Sequence, residues 1–197
     1  MNTGLFTFPS ADAAGRPSPV GRGLKLKVAD LHRLTPEQYR DSAKTPLVIV
    51  LDRVRSLHNV GSLFRTADAF RVEAMYLCGI TAAPPHPEIR KTALGAEETV
   101  EWHDFPDTLE AVWKLKREGY VVCAVEQVEG SISLDKITLD RDRKYALILG
   151  HEMKGVQQEV IDRCDCCIEI PQFGTKHSLN VAVAGGMAIW EFFRQLR

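Results

Sequence analysis

Three short segments of this chain bring polar side chains and glycines together in patterns that suit chemistry on a bound ligand. The first is Leu57-His58-Asn59-Val60-Gly61-Ser62-Leu63-Phe64-Arg65-Thr66, with an amide, a glycine and a guanidinium in one stretch. A guanidinium stays charged at ordinary pH and offers a planar fork to phosphate, which makes Arg65 a candidate for gripping a phosphorylated substrate. Arg53 and Arg55 add positive charge just before it. The second is Leu149-Gly150-His151-Glu152-Met153-Lys154-Gly155, where two glycines bracket Glu152 and let backbone approach a ligand closely. The third is Ile170-Pro171-Gln172-Phe173-Gly174-Thr175-Lys176-His177-Ser178-Leu179-Asn180-Val181. Each polar residue also has a plain structural reading. Asn59 and Ser178 are good helix caps, Glu152 suits a helix start, and Arg65 suits a surface ion pair.

The elements that must position these segments alternate between strand and helix. Leu47-Val48-Ile49-Val50-Leu51 is a continuous apolar run of strand length, as in strands covered on both faces. A helix follows over residues 59–70, with Val60, Leu63, Phe64, Ala67 and Phe70 at helical spacing. Further strands are expected over 74–78, 120–125, 145–149 and 166–170. Helices are expected from Pro36 to before Pro46, over 106–118, over 156–163 and over 178–196, while 84–87 reads as a stiff loop. Such alternation implies an α/β fold, a mostly parallel sheet with helices on both faces. All three polar segments then fall at strand C-terminal ends, where open α/β sheets bind ligands.

Other chemistries are excluded by spacing. No P-loop pattern exists. Gly21-Arg22-Gly23 follows no strand and is followed by Leu26 where a dinucleotide fingerprint needs its third glycine. His151-Glu152 lacks the second histidine of a zinc-protease helix, because position 155 is Gly. Cys164-Asp165-Cys166-Cys167 has no second Cys/His pair at zinc spacing, so no metal is expected. Cys78 and Cys123 sit in apolar runs and read as buried thiols.

The chain has 197 residues, with 25 Lys+Arg against 26 Asp+Glu, and is 45% hydrophobic. This suits one domain with a short appendage, and argues against a protein that coats nucleic acid by bulk charge. Residues 1–30 are rich in Gly, Pro, Ser and Ala and are expected to form a flexible, basic arm before a domain over 31–197. No apolar run reaches the ~20 residues of a membrane span, and no signal peptide is visible. With reduced thiols expected, the compartment is expected to be cytoplasmic.

In this order and spacing, the three segments resemble the motifs of SpoU-type (TrmH-like) RNA 2'-O-ribose methyltransferases of the SPOUT superfamily. The first motif is matched at Asn59, Gly61, Arg65 and Phe70. The second is matched at Leu149-Gly150, Glu152 and Gly155, and the third at Ile170-Pro171, Gly174 and Ser178-Leu179-Asn180-Val181. Lys91-Thr92-Ala93-Leu94-Gly95-Ala96-Glu97 resembles a further family segment. His151 stands where many relatives have Asn, and Ala182 where many have Ser. The resemblance covers about three quarters of the chain. It implies a C-terminal trefoil knot, a homodimer, and S-adenosylmethionine as cofactor. It also implies methyl transfer to a ribose 2'-hydroxyl of RNA, with transfer RNA favoured over ribosomal RNA because the arm does not resemble a separate RNA-binding domain. By resemblance, Arg65, Asn59, Glu152, Ser178 and Asn180 are catalytic, and Glu126, Gly150, Ile170, Ser178, Leu179 and Asn180 hold the cofactor. The run 181–190 reads as a helix with no exposed face, whose Gly185-Gly186 pair allows a close crossing. A non-catalytic RNA-binding or ribosome-assembly module on the same fold is the alternative. A generic nucleotide-binding α/β protein is disfavoured by the missing phosphate loops.

Overall fold

The computed structural model describes residues 25–31 and 33–197. The arm expected over 1–30 therefore lies outside the described residues, apart from 25–30. Contacts divide the chain into a unit up to Thr35 and a second unit from Pro36 to Arg197. In the first, the described residues include one 3-10 turn, Val28–Leu31, where the Lys27 N–H donates to the Asp30 carboxylate at 3.0 Å.

The second unit is an α/β layer structure. Its strands are β1 (Thr45–Asp52), β2 (Val72–Cys78), β3 (Trp102–Phe105), β4 (Tyr120–Val125), β5 (Ile132–Ser133), β6 (Lys144–Gly150) and β7 (Cys166–Glu169). They form one seven-stranded sheet in the order β3-β2-β1-β6-β4-β7-β5, with every pair parallel. The helices are α1 (Pro36–Asp41), α2 (Leu57–Ala69), α3 (Pro87–Ala93), α4 (Thr108–Arg117), α5 (Gln158–Ile161) and α6 (Val181–Leu196). Among the described residues no helix is long and apolar enough to cross a membrane.

The strand period of two sorts the core onto two faces. Leu47, Ile49 and Leu51 of β1 point to the layer that holds Leu63 and Phe64 of α2 and Ile189 and Phe192 of α6. Val48 and Val50 point the other way, with Ala111, Val112 and Leu115 of α4 and Val160 of α5. These β1 side chains are at most 1% exposed. Each such apolar burial contributes about 1.5–3 kcal/mol, which is why the run has no polar position.

The expected strands are present to within two residues at either end, and the 120–125 strand has the expected bounds. Three elements were not expected. Helix α3 starts inside the proline-rich loop, where the His86 ring accepts from the Glu88 N–H at 3.1 Å and Pro87 fits the first turn. Strand β3, Trp-His-Asp-Phe, is an edge strand with half-exposed and exposed positions and so has no apolar signature. Strand β5 has only two residues. The helix expected over 156–163 shortens to the single turn of α5.

Two caps also differ from expectation. Helix α2 is capped by Ser56, whose side chain accepts from the Asn59 N–H, so Asn59 sits inside the first turn. Helix α6 is capped by Asn180 rather than Ser178. The Asn180 Oδ1 accepts from Ala182 and Val183 N–H groups at 2.9 and 3.3 Å. The expectation that α6 has no exposed face is overturned. Val183, Met187 and Trp190, at i, i+4 and i+7, are 53%, 44% and 50% exposed. Its buried side carries Gly185, where a Cβ would lie 2.6 Å from Leu63 and 2.7 Å from Leu149 side-chain carbons. Gly186 faces open space, so only one of the pair serves close packing.

Candidate active site

The three polar segments converge at the C-terminal edge of the sheet. The Glu152 carboxylate accepts from the backbone N–H groups of Ser56 and Arg55, at 2.9 and 3.1 Å, and from the Asn59 side-chain amide at 2.9 Å. The Asn59 Oδ1 accepts in turn from the Asn180 Nδ2 at 3.1 Å. The Asn180 oxygen then caps α6. An ionised carboxylate only accepts, so it fixes which way each amide must face, and the chain of bonds has one consistent polarity. One relay thus joins the start of α2, the loop after β6 and the start of α6.

Burial alone would raise the Glu152 pKa. The bonds from its own N–H, from Ser56, from the Asn59 side chain and from Arg55 outweigh burial and hold the carboxyl below the usual glutamate range. Two of those donors are backbone amides at the opening of α2, where the helix dipole favours negative charge.

Beside the relay lies a cavity of about 320 Å³, within the range of small-molecule sites, roughly 300–1,000 Å³. Leu149, Ile168, Ile170 and Val181 give it apolar walls, while Gln127, His151, Gln172 and His177 give it polar edges. Gly150 lines it, and a Cβ there would lie 2.2 Å from the backbone of Gly155 and Val156. Gly155 has φ +67°, and a Cβ on it would meet the Glu126 carboxylate at 2.0 Å. These glycines let the loop after β6 fold back onto itself so that main chain forms the wall.

The loop is anchored twice more. Glu126 accepts from the Val156 N–H at 2.9 Å. Asp52, the fully buried last residue of β1, accepts from the Thr108 hydroxyl at 2.6 Å and from the Gln157 N–H and side-chain amide at 2.9 and 3.0 Å.

Of the residues assigned to cofactor by resemblance, Glu126, Gly150, Ile170, Ser178 and Leu179 line this cavity, and Asn180 does not. Of those assigned to catalysis, Glu152 and Ser178 line it, and Asn59 and Asn180 reach it through the relay. Arg65 does neither. It is exposed and lines a separate groove with Ser62, Thr66, Phe70 and Lys91. On an α-helix, six residues from Asn59 mean about 9 Å along the axis and about 120° around it, so the two side chains leave α2 in different directions. Sequence reasoning missed Gln127 and the backbone of Arg55 and Ser56. Gln127 Nε2 donates to the His177 carbonyl at 3.1 Å and ties the end of β4 to the third segment. Ser56, a good cap one residue before an amphipathic stretch, was a usable signal.

Comparison with known proteins gives consistent matches. Residues 46–190 match the model of the SpoU rRNA Methylase family. The 23S rRNA (guanosine-2'-O-)-methyltransferase RlmB of Nitrosomonas europaea is 32% identical over 176 residues, covering 88% of this chain and 66% of that protein. RlmB of Pseudomonas putida is 33% identical, covering 76% of this chain and 59% of that protein. This chain therefore spans less than two thirds of those relatives' lengths. Among solved structures, the AdoMet-bound rRNA methyltransferase of Sinorhizobium meliloti superposes with a TM-score of 0.72 at 28% identity, covering 84% of this chain and 62% of that one. The TrmH/SpoU tRNA modifying enzyme of A. aeolicus gives 0.71 at 25% identity, covering 81% of each chain.

Proposed function

This chain belongs to the SpoU rRNA Methylase family, and from that premise we propose that it transfers a methyl group from S-adenosylmethionine to a ribose 2'-hydroxyl of RNA. The observation that carries this reading is the Glu152–Asn59–Asn180 relay, which gathers three distant segments beside one small-molecule cavity. The cavity suits the cofactor. Its apolar walls fit a purine ring, its polar edges fit an amino-acid moiety, and its main-chain wall at Gly150 leaves donors and acceptors within reach. Glu126, Gly150, Ile170, Ser178 and Leu179 would hold it. Glu126 also keeps the Gly155–Val156 wall in place.

When bound, the cofactor supplies a methyl group already activated on a sulfonium sulfur. The protein must then align the ribose and ease loss of the hydroxyl proton. Arg65 is unsuited to remove that proton, because a guanidinium has five N–H donors and no acceptor atom. Its role in this reading is to grip the neighbouring phosphate and stabilise charge developing on the ribose oxygen. Asn59 and Glu152 fix the helix start that aims it, Ser178 lines the pocket, and Asn180 holds Asn59 from the cap of α6.

Arg65 reaches a pocket in this reading through a second copy of the chain. Phe70 lines the Arg65 groove and also packs on Trp190 and Phe193, with ring centroids 5.6 and 5.0 Å apart. The exposed apolar stripe of α6 therefore adjoins the guanidinium. Such a stripe marks an interaction surface. Two copies joined there set Arg65 of one beside the crevice of the other. The trefoil threading of the C-terminal segment belongs to the same proposal.

Relatives are named for ribosomal and for transfer RNA alike. The acceptor is therefore stated as an RNA ribose. Transfer RNA rests on the sequence reading, and the RlmB relatives weigh towards ribosomal RNA. The test incubates the purified chain with methyl-labelled cofactor and total RNA, and maps 2'-O-methyl sites in cells with and without its gene. Label on a ribose oxygen, and one site lost with the gene, are expected. Calorimetry showing no binding of S-adenosylmethionine would overturn the reading in favour of a non-catalytic RNA-binding module.

A further inference from the structure

Outside the crevice, two of the five cysteines stand apart from the rest. Cys123 of β4 and Cys166 of β7 are register partners on adjacent parallel strands, and their sulfurs lie 3.1 Å apart. Partner positions in a sheet are separated by ~4.8 Å between strands, inside the 4.4–6.8 Å that a disulfide spans between Cα atoms. Both side chains line a second cavity of about 440 Å³, which also carries Lys136 and Arg143 on its wall. Cys164 and Cys167 pack instead among the residues of the α4/α5 face, and Cys78 is fully buried there.

We propose that Cys123 and Cys166 form an oxidation site, closed to an intrachain disulfide by a peroxide. Cys166 is the attacking sulfur. It is partly exposed to the cavity, and the bond to Cys123 draws its pKa below the ordinary thiol value. Cys123 is 2% exposed, and that contact with Cys166 together with burial pushes its pKa up, so it waits as a protonated resolving thiol. The Cys166 thiolate attacks one peroxide oxygen, the O–O bond breaks, and the leaving hydroxide takes a proton to become water. This leaves a sulfenic acid on Cys166. The Cys123 sulfur then attacks the Cys166 sulfur, the S–O bond breaks, and the departing hydroxide leaves as water with the Cys123 proton. Two thiols and one hydrogen peroxide give one disulfide and two waters.

The placement gives the bond a reach beyond its own strands. Two residues past Cys123 and Cys166, Val125 and Ile168 line the crevice, and the Glu126 N–H bonds the Ile168 carbonyl at 3.0 Å. The disulfide would join the two strands whose ends form that wall.

The experiment treats the folded, full chain with equimolar hydrogen peroxide, blocks the remaining thiols by alkylation, and maps peptides by mass spectrometry. Loss of two free thiols per chain and a peptide joining Cys123 to Cys166 are expected. In Cys123→Ala the cross-link disappears, and in Cys123→Ser, which keeps a donor beside Cys166 but no resolving sulfur, a 1,3-dione probe for sulfenic acid labels Cys166. A link between Cys164 and Cys167, links only between chains, or thiol oxidation in the wild-type chain without any disulfide would overturn the proposal. None of these readouts depends on methyl transfer.

Discussion

Asn59 and Arg65 lie six residues apart on one helix and live in opposite circumstances. Asn59 is bonded on both sides, by Glu152 and by Asn180, and its side chain has one orientation open to it. Arg65 projects into an open groove on another side of α2. The first is set during folding, because its partners are a carboxylate held by backbone amides and a side chain that caps α6. The second has no such fixing bond from the relay, and in the proposed reading a second copy completes its surroundings. In the proposed reading, a site divided in this way would keep its cofactor side preorganised within one subunit and make its electrostatic side conditional on assembly.

The sharpest way to break this contrast is Arg65→Ala. In the proposed reaction, methyl transfer should fall about 10²–10³-fold, the usual loss for one charge-stabilising donor. Calorimetry should show cofactor affinity unchanged within about twofold, because Arg65 lines no part of the cavity. A parallel loss of cofactor binding would mean that the two ends of α2 are not separate.

Glu152→Gln tests the other end. It removes the charge that two backbone amides and the Asn59 side chain face, and should cost about 1–3 kcal/mol in urea unfolding while also weakening cofactor binding.

A packing contrast on α6 is next in size. Gly185→Ala pushes a methyl into Leu63 and Leu149 and should destabilise by about 1–3 kcal/mol. Gly186→Ala meets open space and should raise thermal stability by up to ~1 kcal/mol through helix propensity. Equal effects at the two positions would remove the close crossing of α6 over α2.

The smallest effect is in pH. The Glu152 carboxyl is held below its ordinary value in the folded chain, so it binds protons less readily folded than unfolded. Its contribution is full at neutral pH and is lost as pH falls through the acid range below about 4.5. Urea midpoints should therefore drop less between pH 6 and pH 4 in Glu152→Gln than in the wild-type chain.

Much of this was legible in the residues, for stated reasons. Continuous apolar runs such as 47–51 and 120–125 mark strands buried on both faces, and they lie where expected. The edge strand β3 was not legible, because Trp102 to Phe105 is half in water and carries no alternation that sequence can see. Helix α3 hid behind prolines that read as a stop and here act as a start. The partners in the site followed from resemblance, and their bonds did not, since Glu152 meets residues 93 and 96 positions away and no local rule encodes that pairing. Nor could composition show which face of an all-apolar helix would be left uncovered. Gly185, which has no side chain, decides it by letting the opposite face approach Leu63 of α2.

Asp52 has a consequence for traffic through the crevice. Enclosed at the end of β1 and tied to both Thr108 and Gln157, it pins the far end of the loop after β6 like the fixed jamb of a doorway. The opposite jamb, residues 173–180, is exposed to water and tethered through His177 and Asn180.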